Sequence, residues 1–401
     1  MPHRSTIVVG LGAMGSCALA ELARRGVRAI GVDRFAPPHD RGSSHGGSRV
    51  IRLSYFEHPD YVPLLRRAYE LFDRLSRDAG ETLRHETGLV VGGPAGNAAS
   101  SGMLRSAREH GLAVDALDGA ELVRRFPMFR VPADWECVFE APGGFVRPER
   151  TIAAALADAA RRGAVMHTGT AVTAWGADAR GAWVETAAGR FEADSLVLAG
   201  GAWMPGLVSG AVAPLRPTRE TIVWLDDRGA HALACPRMPV WLFDCGALPA
   251  IYGIPRFAGM GGFAGMGGFA GTGGFAGTGA PVGMKVGLHG DGPTAVPEDL
   301  AKPVDPAAVA RAVSAANERL VCEAPLEPVA ARHCLYTMSP DTDFVLGLHP
   351  GMPRVALACG FSGHGFKFAP VIGEILAELA IEGATRHPIG FLSPERFAAR
   401  Q

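Results

Sequence analysis

The sequence predicts a mixed α/β (α+β) fold in which a discontinuous domain with a parallel sheet is joined to a domain with an antiparallel sheet. Three observations lead to this prediction. A strand, glycine-rich turn, helix and second strand open the chain, alternating strands fill its middle, and another strand, glycine turn and helix lie near its end. A chain of 401 residues is also too long for one small core.

The composition argues against several classes of partner. Lysine and arginine number 39 and aspartate and glutamate 40, so nothing favours nucleic acid or an anionic membrane surface. No long apolar run and no signal-peptide pattern is present, which makes the cytoplasm the expected location. The 7 cysteines are scattered without paired spacing, so neither a disulfide framework nor a metal site is predicted.

The first element is a β-branched strand that runs into Gly10-Leu-Gly-Ala-Met-Gly and then a helix, followed by a second strand that ends at Asp33. Gly10 permits a tight turn, Gly12 lets the backbone approach a pyrophosphate, and Gly15 lets helix and strand pack closely. Asp33 is placed to accept hydrogen bonds from ribose hydroxyls, and the helix N-terminus offers N–H donors to phosphate. The pattern predicts a dinucleotide site, without distinguishing NAD from FAD; a purely structural glycine turn is the alternative.

A glycine- and serine-rich loop follows two prolines and leads to Arg49, Arg52 and Tyr55. One interpretation is a basic loop with ion pairs at the surface. The other is that Ser43, Ser48 and their neighbours line a cofactor, while the arginines bring fixed positive charge towards an anionic substrate.

Periodicity predicts the remaining elements only coarsely. Helices are expected at 61–77, 103–110, 151–162 and 370–381, and strands at 87–93, 165–167, 171–175, 195–199, 221–225, 240–243, 250–254, 283–289, 341–347 and 355–360. The region around Pro127 and Pro132 reads as irregular.

A tandem hexapeptide repeat occupies 257–280, with phenylalanine at the start of each unit and glycine at about half its positions. So much glycine buries little apolar surface per ordered residue, so we expect a mobile loop. Replication slippage in a tolerant loop is the simpler origin, and a lid or a partner-binding element is the alternative.

Two stretches near the end contain further chemically distinctive residues. Cys334 stands in Ala-Arg-His-Cys-Leu-Tyr, and Lys367 ends Gly360-Phe-Ser-Gly-His-Gly-Phe-Lys. The strand at 283–289 places Lys285 and His289 on one face, and a solvent-exposed face is one interpretation of that pair. A lone cysteine is most often a buried apolar residue.

These two stretches and the Pro-Pro-His, Ser-x-His-Gly and Arg-x-x-Arg pattern of the early loop resemble the monomeric sarcosine oxidase and N-methyltryptophan oxidase family of FAD-dependent amino acid oxidases. The resemblance implies a glutathione-reductase-type Rossmann domain that binds FAD, formed by 1–85, 146–213 and 324–401. It implies an antiparallel-sheet substrate domain formed by 86–145 and 214–323. The repeat departs from the family pattern as an insert beside the pocket.

The resemblance also implies roles for individual residues. Lys285 activates oxygen together with Arg49, Cys334 carries the flavin through a thioether, and Arg52 and Lys367 bind the substrate carboxylate. The expected catalytic residues are Lys285, Arg49, His289, Tyr252 and Tyr336, and the expected substrate-binding residues are Arg52, Lys367 and Tyr55. The expected cofactor-binding residues are Gly10, Gly12, Gly15, Asp33, Ser43, His45, Ser48, Arg49, Val172, Cys334, Gly360, Gly363, Gly365 and Lys367.

The implied activity is oxidation of a secondary amino acid such as sarcosine or another N-methyl amino acid. A hydride passes from the α- or N-methyl carbon to FAD, O2 is reduced to H2O2, and the imine product is hydrolysed. Alternatives are an oxidase of cyclic amino acids such as pipecolate or proline, a flavin dehydrogenase with another electron acceptor, and a non-enzymatic interaction protein. The expected partners are the small-molecule substrate and O2, with no nucleic acid or membrane, and the chain is expected to be a monomer.

Overall fold

The structure is a computed structural model that describes residues 4–208, 212–246, 248–257 and 283–400. The predicted mobile loop of the hexapeptide repeat therefore lies, from residue 258 onward, outside the described residues.

The described residues form helices and strands close to those predicted, with several additions. The helices are α1 (Ala13–Arg24), α2 (Val62–Ala79), α3 (Ala98–His110), α4 (Gly119–Arg125), α5 (Pro148–Arg161), α6 (Met204–Val208), α7 (Pro306–Arg319) and α8 (Ala369–Glu382). The strands are β1 (Ser5–Val9), β2 (Arg28–Val32), β3 (Arg49–Ile51), β4 (Arg84–Glu86), β5 (Leu89–Gly93), β6 (Asp115–Asp118), β7 (Glu136–Glu140), β8 (Gly144–Val146), β9 (Val165–His167), β10 (Val172–Ala177), β11 (Ala182–Thr186), β12 (Gly189–Ala193), β13 (Ser195–Leu198), β14 (Arg216–Leu225), β15 (Val240–Cys245), β16 (Leu248–Ile254), β17 (Met284–Leu288), β18 (Pro328–Met338), β19 (Val345–His349) and β20 (Met352–Cys359).

A six-stranded sheet in the order β19-β20-β13-β1-β2-β9 forms the first layer, parallel except for β19. Helices α1, α2, α5 and α8 pack with it in one apolar core, and the small sheet β10-β11-β12 packs in a second. A Cβ at Gly373 would lie 2.6 Å from the backbone of Cys17, so glycine allows α8 to approach α1 closely. This arrangement confirms the predicted Rossmann-type parallel sheet.

An eight-stranded sheet in the order β18-β14-β17-β16-β15-β5-β7-β6 forms the second large layer. It is antiparallel except where β15 runs parallel to β5. Val223 and Val286 face α7 in an apolar core, whereas Ile222 and Trp224 turn to the opposite face. The mixed α/β class with an antiparallel sheet is therefore confirmed.

Sequence periodicity missed five elements of this layer, among them strand β18, which contains Cys334. Strands β6 and β7 and helix α4 flank the irregular stretch around Pro127 and Pro132, and helix α7 was not predicted. Their short or alanine-rich apolar patterns become informative only once the sheet that covers them is known. Strand β18 lies in the eight-stranded sheet, so Cys334 belongs to the sheet that also contains Lys285. The exact domain boundaries stay a prediction.

No helix within the described ranges is long and apolar enough to cross a membrane.

Candidate active site

The glycine-rich turn after β1 has the geometry that its sequence predicts. Gly10 has φ +86°, and a Cβ there would lie 2.5 Å from the carbonyl oxygen of Ala199. A Cβ at Gly15 would lie 1.7 Å from the carbonyl oxygen of Gly10, so only glycine permits the contact. Gly12 caps α1 without a side-chain hydrogen bond to the first turn. The N–H groups at the start of α1 are thus available to an anion.

Asp33 directly follows β2, beside the glycine-rich turn that follows β1. Its carboxylate accepts hydrogen bonds from the backbone N–H groups of Leu11 (2.6 Å) and Phe35 (2.7 Å), and His39 Nε2 lies 3.7 Å from it. A carboxylate has about four acceptor positions, so it still has acceptor positions for two hydroxyls. Val172, at the start of β10, packs against the apolar cluster that contains Val9 and Val32.

The glycine- and serine-rich loop is held by a carboxylate that sequence reasoning missed. Glu149, in the first turn of α5, accepts hydrogen bonds from the N–H groups of Gly46 (2.7 Å) and Gly47 (3.0 Å). Gly46 has φ +96°, and a Cβ there would lie 2.8 Å from Ile222 of β14. The loop therefore lies directly on the face of the eight-stranded sheet that turns away from α7.

Arg49 and Lys285 meet beneath this loop. Arg49 Nη2 donates to the carbonyl oxygen of Ser43 (2.9 Å) and lies 3.3 Å from Cys334 Sγ. Lys285 is 0% exposed, and its Nζ donates to the carbonyl oxygens of Gly46 (3.2 Å) and Ser48. Within the described residues neither side chain forms an ion pair with a carboxylate, although the charge of Glu149, which holds the loop, acts on both from a greater distance.

Burial shifts the titration of this cluster. It lowers the pKa of Lys285 well below its usual value, and the Arg49 guanidinium lowers it further. Burial also lowers the pKa of His45, with Arg49 acting in the same direction. Burial raises the pKa of the Cys334 thiol, against which Arg49 and Lys285 act. Lys285 and His45 are therefore neutral unless a negative charge approaches them.

Four buried polar atoms near the loop have no hydrogen-bond partner among the described residues. They are both ring nitrogens of His45, the hydroxyl of Ser48 and the indole nitrogen of Trp203. Buried polar groups are almost always paired in folded proteins, so an unpaired set indicates a missing partner. A ligand with several polar atoms, bound beside the loop, would pair with these atoms and with the free N–H groups of α1. The structure is thus compatible with bound FAD.

Arg52 lies in a second cationic cluster. Its Nη2 donates to both carboxylate oxygens of Glu57 (2.7 and 2.6 Å), and its Nη1 donates to the carbonyl oxygen of Ser54. The guanidinium is stacked 4.2 Å from the ring of Tyr55 and 4.0 Å from that of Phe56. Burial opposes ionisation of Glu57, but Arg52, His364 and Lys367 together lower its pKa to about 2. Glu57 is therefore ionised, and it is already paired with the Arg52 guanidinium that is expected to bind the substrate carboxylate.

Lys367 and His364 complete this second cluster. Lys367 Nζ donates to the carbonyl oxygen of His364 (2.8 Å), and burial together with Arg52 lowers the pKa of Lys367 to about 7. Nε2 of His364 lies 3.1 Å from the carbonyl oxygen of Thr342, which can only accept. The ring thus carries its proton on Nε2, and Nδ1 accepts from the hydroxyl of Tyr55. Burial lowers the pKa of His364 to about 3, consistent with this neutral tautomer.

Three polar rings lie along the same sheet face. Tyr252 is paired with Gly287, and a Cβ at Gly287 would lie 2.8 Å from the Tyr252 hydroxyl. His289 Nδ1 lies 3.1 Å from the Tyr336 hydroxyl. Burial lowers the pKa of His289 and raises those of both tyrosines, so all three rings are neutral.

The glycines before Lys367 shape the turn over this face. Gly360 and Gly363 have φ values of +62° and +82°, and a Cβ at Gly363 would lie 2.2 Å from the Tyr336 ring. A Cβ at Gly365 would lie 2.5 Å from the Phe361 ring. Glycine is needed at these positions so that the turn can lie against Tyr336.

The structure brings five of the predicted residues together on one face of the eight-stranded sheet, namely Tyr252, Lys285, His289, Cys334 and Tyr336, with the loop of Arg49 against it. Arg52, Tyr55 and Lys367 form the second cluster, and Gly10, Gly12, Gly15, Asp33 and Val172 lie at the six-stranded sheet. The roles assigned to individual residues stay predictions. Glu57, Glu149 and His364 were missed. His364 lies inside a stretch already singled out, whereas nothing local marks the two glutamates.

The fold and the site together are those of a dinucleotide-binding protein with buried basic side chains beside an antiparallel sheet. A family model described as FAD dependent oxidoreductase (DAO) matches residues 5–379. The chain belongs to this family of FAD-dependent oxidoreductases.

Individual relatives agree with this assignment. Monomeric sarcosine oxidase of Streptomyces avermitilis is 38% identical over 400 residues, covering 99% of both chains. N-methyl-L-tryptophan oxidase of Salmonella arizonae is 32% identical, covering 94% of both. The structure of NikD, an unusual amino acid oxidase essential for nikkomycin biosynthesis, superposes with a TM-score of 0.78 at 23% identity, covering 98% of each chain. That similarity supports the fold.

Proposed function

We propose that this protein is an FAD-dependent oxidase of secondary amino acids, with sarcosine or another N-methyl amino acid as substrate. The observation that carries the proposal is the placement of two buried cations, Arg52 and Lys367, beside the face that bears Tyr252, His289 and Tyr336. The sarcosine and N-methyltryptophan oxidases among its relatives support the substrate class.

Arg52 and Lys367 bind the substrate carboxylate. An incoming carboxylate displaces Glu57 from the guanidinium and accepts a charge-assisted hydrogen bond from Nζ of Lys367. The new anion favours protonation of Lys367, whose pKa of about 7 leaves it only partly charged beforehand. The carboxylate then fixes the rest of the substrate against the sheet face.

Neutral side chains shape the amine side of the pocket. The His289–Tyr336 hydrogen bond and the Tyr252 hydroxyl provide polar contacts without a charge, because the pKa of His289 is lowered and those of the tyrosines are raised. A neutral secondary amine is better accommodated there than an ammonium ion, since burying an unpaired cation is costly. The neutral amine is the form that can be oxidised.

The residues around the glycine- and serine-rich loop hold FAD, which supplies the two-electron oxidant when bound. The N–H groups of α1 bind its phosphates, Asp33 its ribose, and His45 and Ser48 its polar ring atoms. Cys334 would hold the flavin covalently; burial raises the pKa of its thiol, and Nη2 of Arg49, 3.3 Å from the sulfur, opposes that rise.

Lys285 and Arg49 act in the reduction of O2 to H2O2. Arg49 keeps its charge, and Lys285, whose pKa is lowered, takes up a proton at Nζ when negative charge develops beside it.

Peroxide release by the purified protein in air tests the proposal. The panel contains sarcosine, bulkier N-methyl amino acids, L-proline, L-pipecolate and matched primary amino acids. Peroxide with an N-methyl amino acid is the expected result. Peroxide with the cyclic members alone would make the chain a cyclic amino acid oxidase, and flavin bleaching under argon without peroxide would make it a dehydrogenase.

Acid denaturation tests the covalent linkage. Flavin should remain with the precipitated protein and be released from Cys334→Ser. Cys359→Ser, which alters another buried cysteine, should retain it. Release of all flavin from the unaltered protein would contradict the linkage. Cytoplasmic location and a monomeric state stay predictions.

A further inference from the structure

A buried glutamate lies on the same sheet face as the proposed active site and has no role in the mechanism above. Glu220 of β14 is paired with Cys334 of β18, and Thr218 is paired with Tyr336. Directly paired residues share a face of the sheet, so Glu220 lies among the residues of the site. Its exposure is 2%.

The carboxyl group of Glu220 is hydrogen-bonded without a cation. The hydroxyl of Thr218 donates to Oε1 (2.6 Å), and the backbone N–H of Gly292 donates to Oε2 (3.0 Å). No lysine or arginine among the described residues forms an ion pair with it. Burial raises the pKa of Glu220, the hydrogen bonds from Thr218 and Gly292 oppose that rise, and the charge of the Asp291 carboxylate adds to it while the backbone of Asp291 opposes it. A carboxyl kept in such a place without a counter-ion needs a reason in the local structure.

The reason lies in a gap between β14 and β17. The strands are paired where Val223 meets Val286, and the next bridge joins Thr218 to Thr294. Between these points β17 ends at Leu288, and the chain forms a turn at 289–290 before it reaches the bridge at Thr294. Glu220 bridges the gap through its bond to Gly292.

The contact with Gly292 is sterically specific. A Cβ at Gly292 would lie 2.3 Å from the carbonyl oxygen of Arg219 and 2.7 Å from Oε1 of Glu220. Only glycine therefore brings the turn this close to the carboxyl group. The preceding residue, Asp291, is held from the outer side by an ion pair with Arg311 (2.6 Å).

The turn held by Glu220 begins at His289, whose Nδ1 lies 3.1 Å from the Tyr336 hydroxyl. The backbone N–H of His289 donates to Ala250 (2.8 Å), which fixes one end of the turn, and Glu220 fixes the other. Through Thr218, Glu220 is also bonded to the residue paired with Tyr336. The carboxyl group of Glu220 is thus hydrogen-bonded both to the turn that begins at His289 and to the residue that is paired with Tyr336.

We propose that Glu220 is a positioning residue of the amine-oxidising site, which holds His289 and Tyr336 in register through its hydrogen bonds to Gly292 and Thr218. The inference rests on the proposed function for the meaning of that pair. The carboxylate clamp formed by Arg52 and Lys367 lies on other elements and is independent of Glu220. Loss of Glu220 therefore affects the amine side of the pocket and leaves carboxylate binding intact.

Two substitutions separate this role from a charge effect and from general destabilisation. Glu220→Gln keeps an oxygen to accept from Gly292 and an amide that can donate to the Thr218 hydroxyl. Glu220→Ala removes both contacts. Arg311→Gln is the matched control, because it releases the same turn from its outer side without altering the face of the site.

The experiment uses the flavin-loaded protein and the substrate identified by peroxide release. Under argon, substrate should reduce the flavin of Glu220→Ala at least about tenfold more slowly than that of the unaltered protein, because the groups that contact the substrate are misplaced. The Kd of this variant for acetate should stay within about twofold of the unaltered value. Glu220→Gln and Arg311→Gln should stay within about threefold of the unaltered protein.

Hydrogen exchange provides a readout independent of activity. The amide of Gly292 should be protected in the unaltered protein and in Glu220→Gln, and should exchange faster in Glu220→Ala. If Glu220→Ala does not fold, Thr218→Val, which removes the bond to Oε1 and keeps the one from Gly292, takes its place in the reduction measurement and should slow reduction by less than Glu220→Ala is expected to.

Several results would overturn the proposal. One is an unchanged rate of flavin reduction in Glu220→Ala. Another is a rate that falls equally in Glu220→Gln and Glu220→Ala. The third is a Kd for acetate that rises in Glu220→Ala by as large a factor as the rate of flavin reduction falls. An unaltered protein that oxidises no panel member would refute the proposed function instead. In that case the exchange of Gly292 still decides whether Glu220 holds the turn, and unchanged exchange in Glu220→Ala would refute it.

Discussion

The two buried pairs of basic side chains in the site differ in the groups that they contact. Arg49 and Lys285 donate to carbonyl oxygens of the loop and have no carboxylate partner among the described residues. Arg52 instead forms a bidentate pair with Glu57, beside Lys367. The first pair keeps a positive potential, which suits a place where negative charge develops. The second is already occupied by an anion, which suits a place where one carboxylate replaces another.

The largest expected effect comes from removing the guanidinium of the second pair. Arg52→Met should lower kcat/KM about a thousandfold, since truncating one partner of a buried charge pair costs about 4 kcal/mol and leaves Glu57 unpaired. Steady-state peroxide assays measure it. Arg84→Met is the matched control, because Arg84 also stacks on a tyrosine and pairs with a carboxylate, Asp73. Equal losses in both variants would mean that Arg52 acts only through stability.

The first pair is tested by Lys285→Met. Reoxidation of the reduced protein by O2 should slow by about a hundredfold, as expected when a preorganised charge-stabilising donor is removed. Anaerobic reduction by substrate should slow by less than about tenfold. Stopped-flow absorbance separates the two half-reactions, and equal effects on both would contradict a role in oxygen reduction.

The next largest expected effect is a change in the affinity for a carboxylate with pH. Lys367 has a lowered pKa of about 7, and a bound carboxylate favours its charged form. Affinity for acetate should therefore be full below pH 7 and fall as pH rises, by up to about fiftyfold between pH 7 and 9. Lys367→Met should bind more weakly and lose this dependence. A pH-independent Kd in the unaltered protein would show that Lys367 does not contact the ligand.

The smallest expected effect concerns the competing anion. Glu57→Gln keeps the shape of the side chain but removes its charge, so an incoming carboxylate no longer displaces an ion pair. The Kd for acetate should fall by about tenfold, or about 1.4 kcal/mol, in a calorimetric titration. Weaker binding in this variant would show that Glu57 assists the ligand instead of competing with it.

The same contrast shows which parts of the site are predictable from the sequence. The functions of Gly10 and Gly15 follow from neighbours along the chain, because a turn and its helix are short-range structures, and the predicted geometry is found. The large side chains of the site lie in stretches that resemble a known family, and the structure divides them between one face of the eight-stranded sheet and the cluster of Arg52, Tyr55 and Lys367. The acids could not be predicted in this way, because Glu57, Glu149 and Glu220 gain meaning only from the atoms that they contact.

The sequence by itself determined the class of fold, the dinucleotide turn and the family, since each rests on local periodicity, glycine spacing or short motifs. The tertiary structure alone decided which cations are paired and which are not. It placed Glu57 on Arg52, left Lys285 among carbonyl oxygens, and set Glu220 opposite Cys334. Burial and long-range pairing control these charges, and both arise only when distant segments pack together.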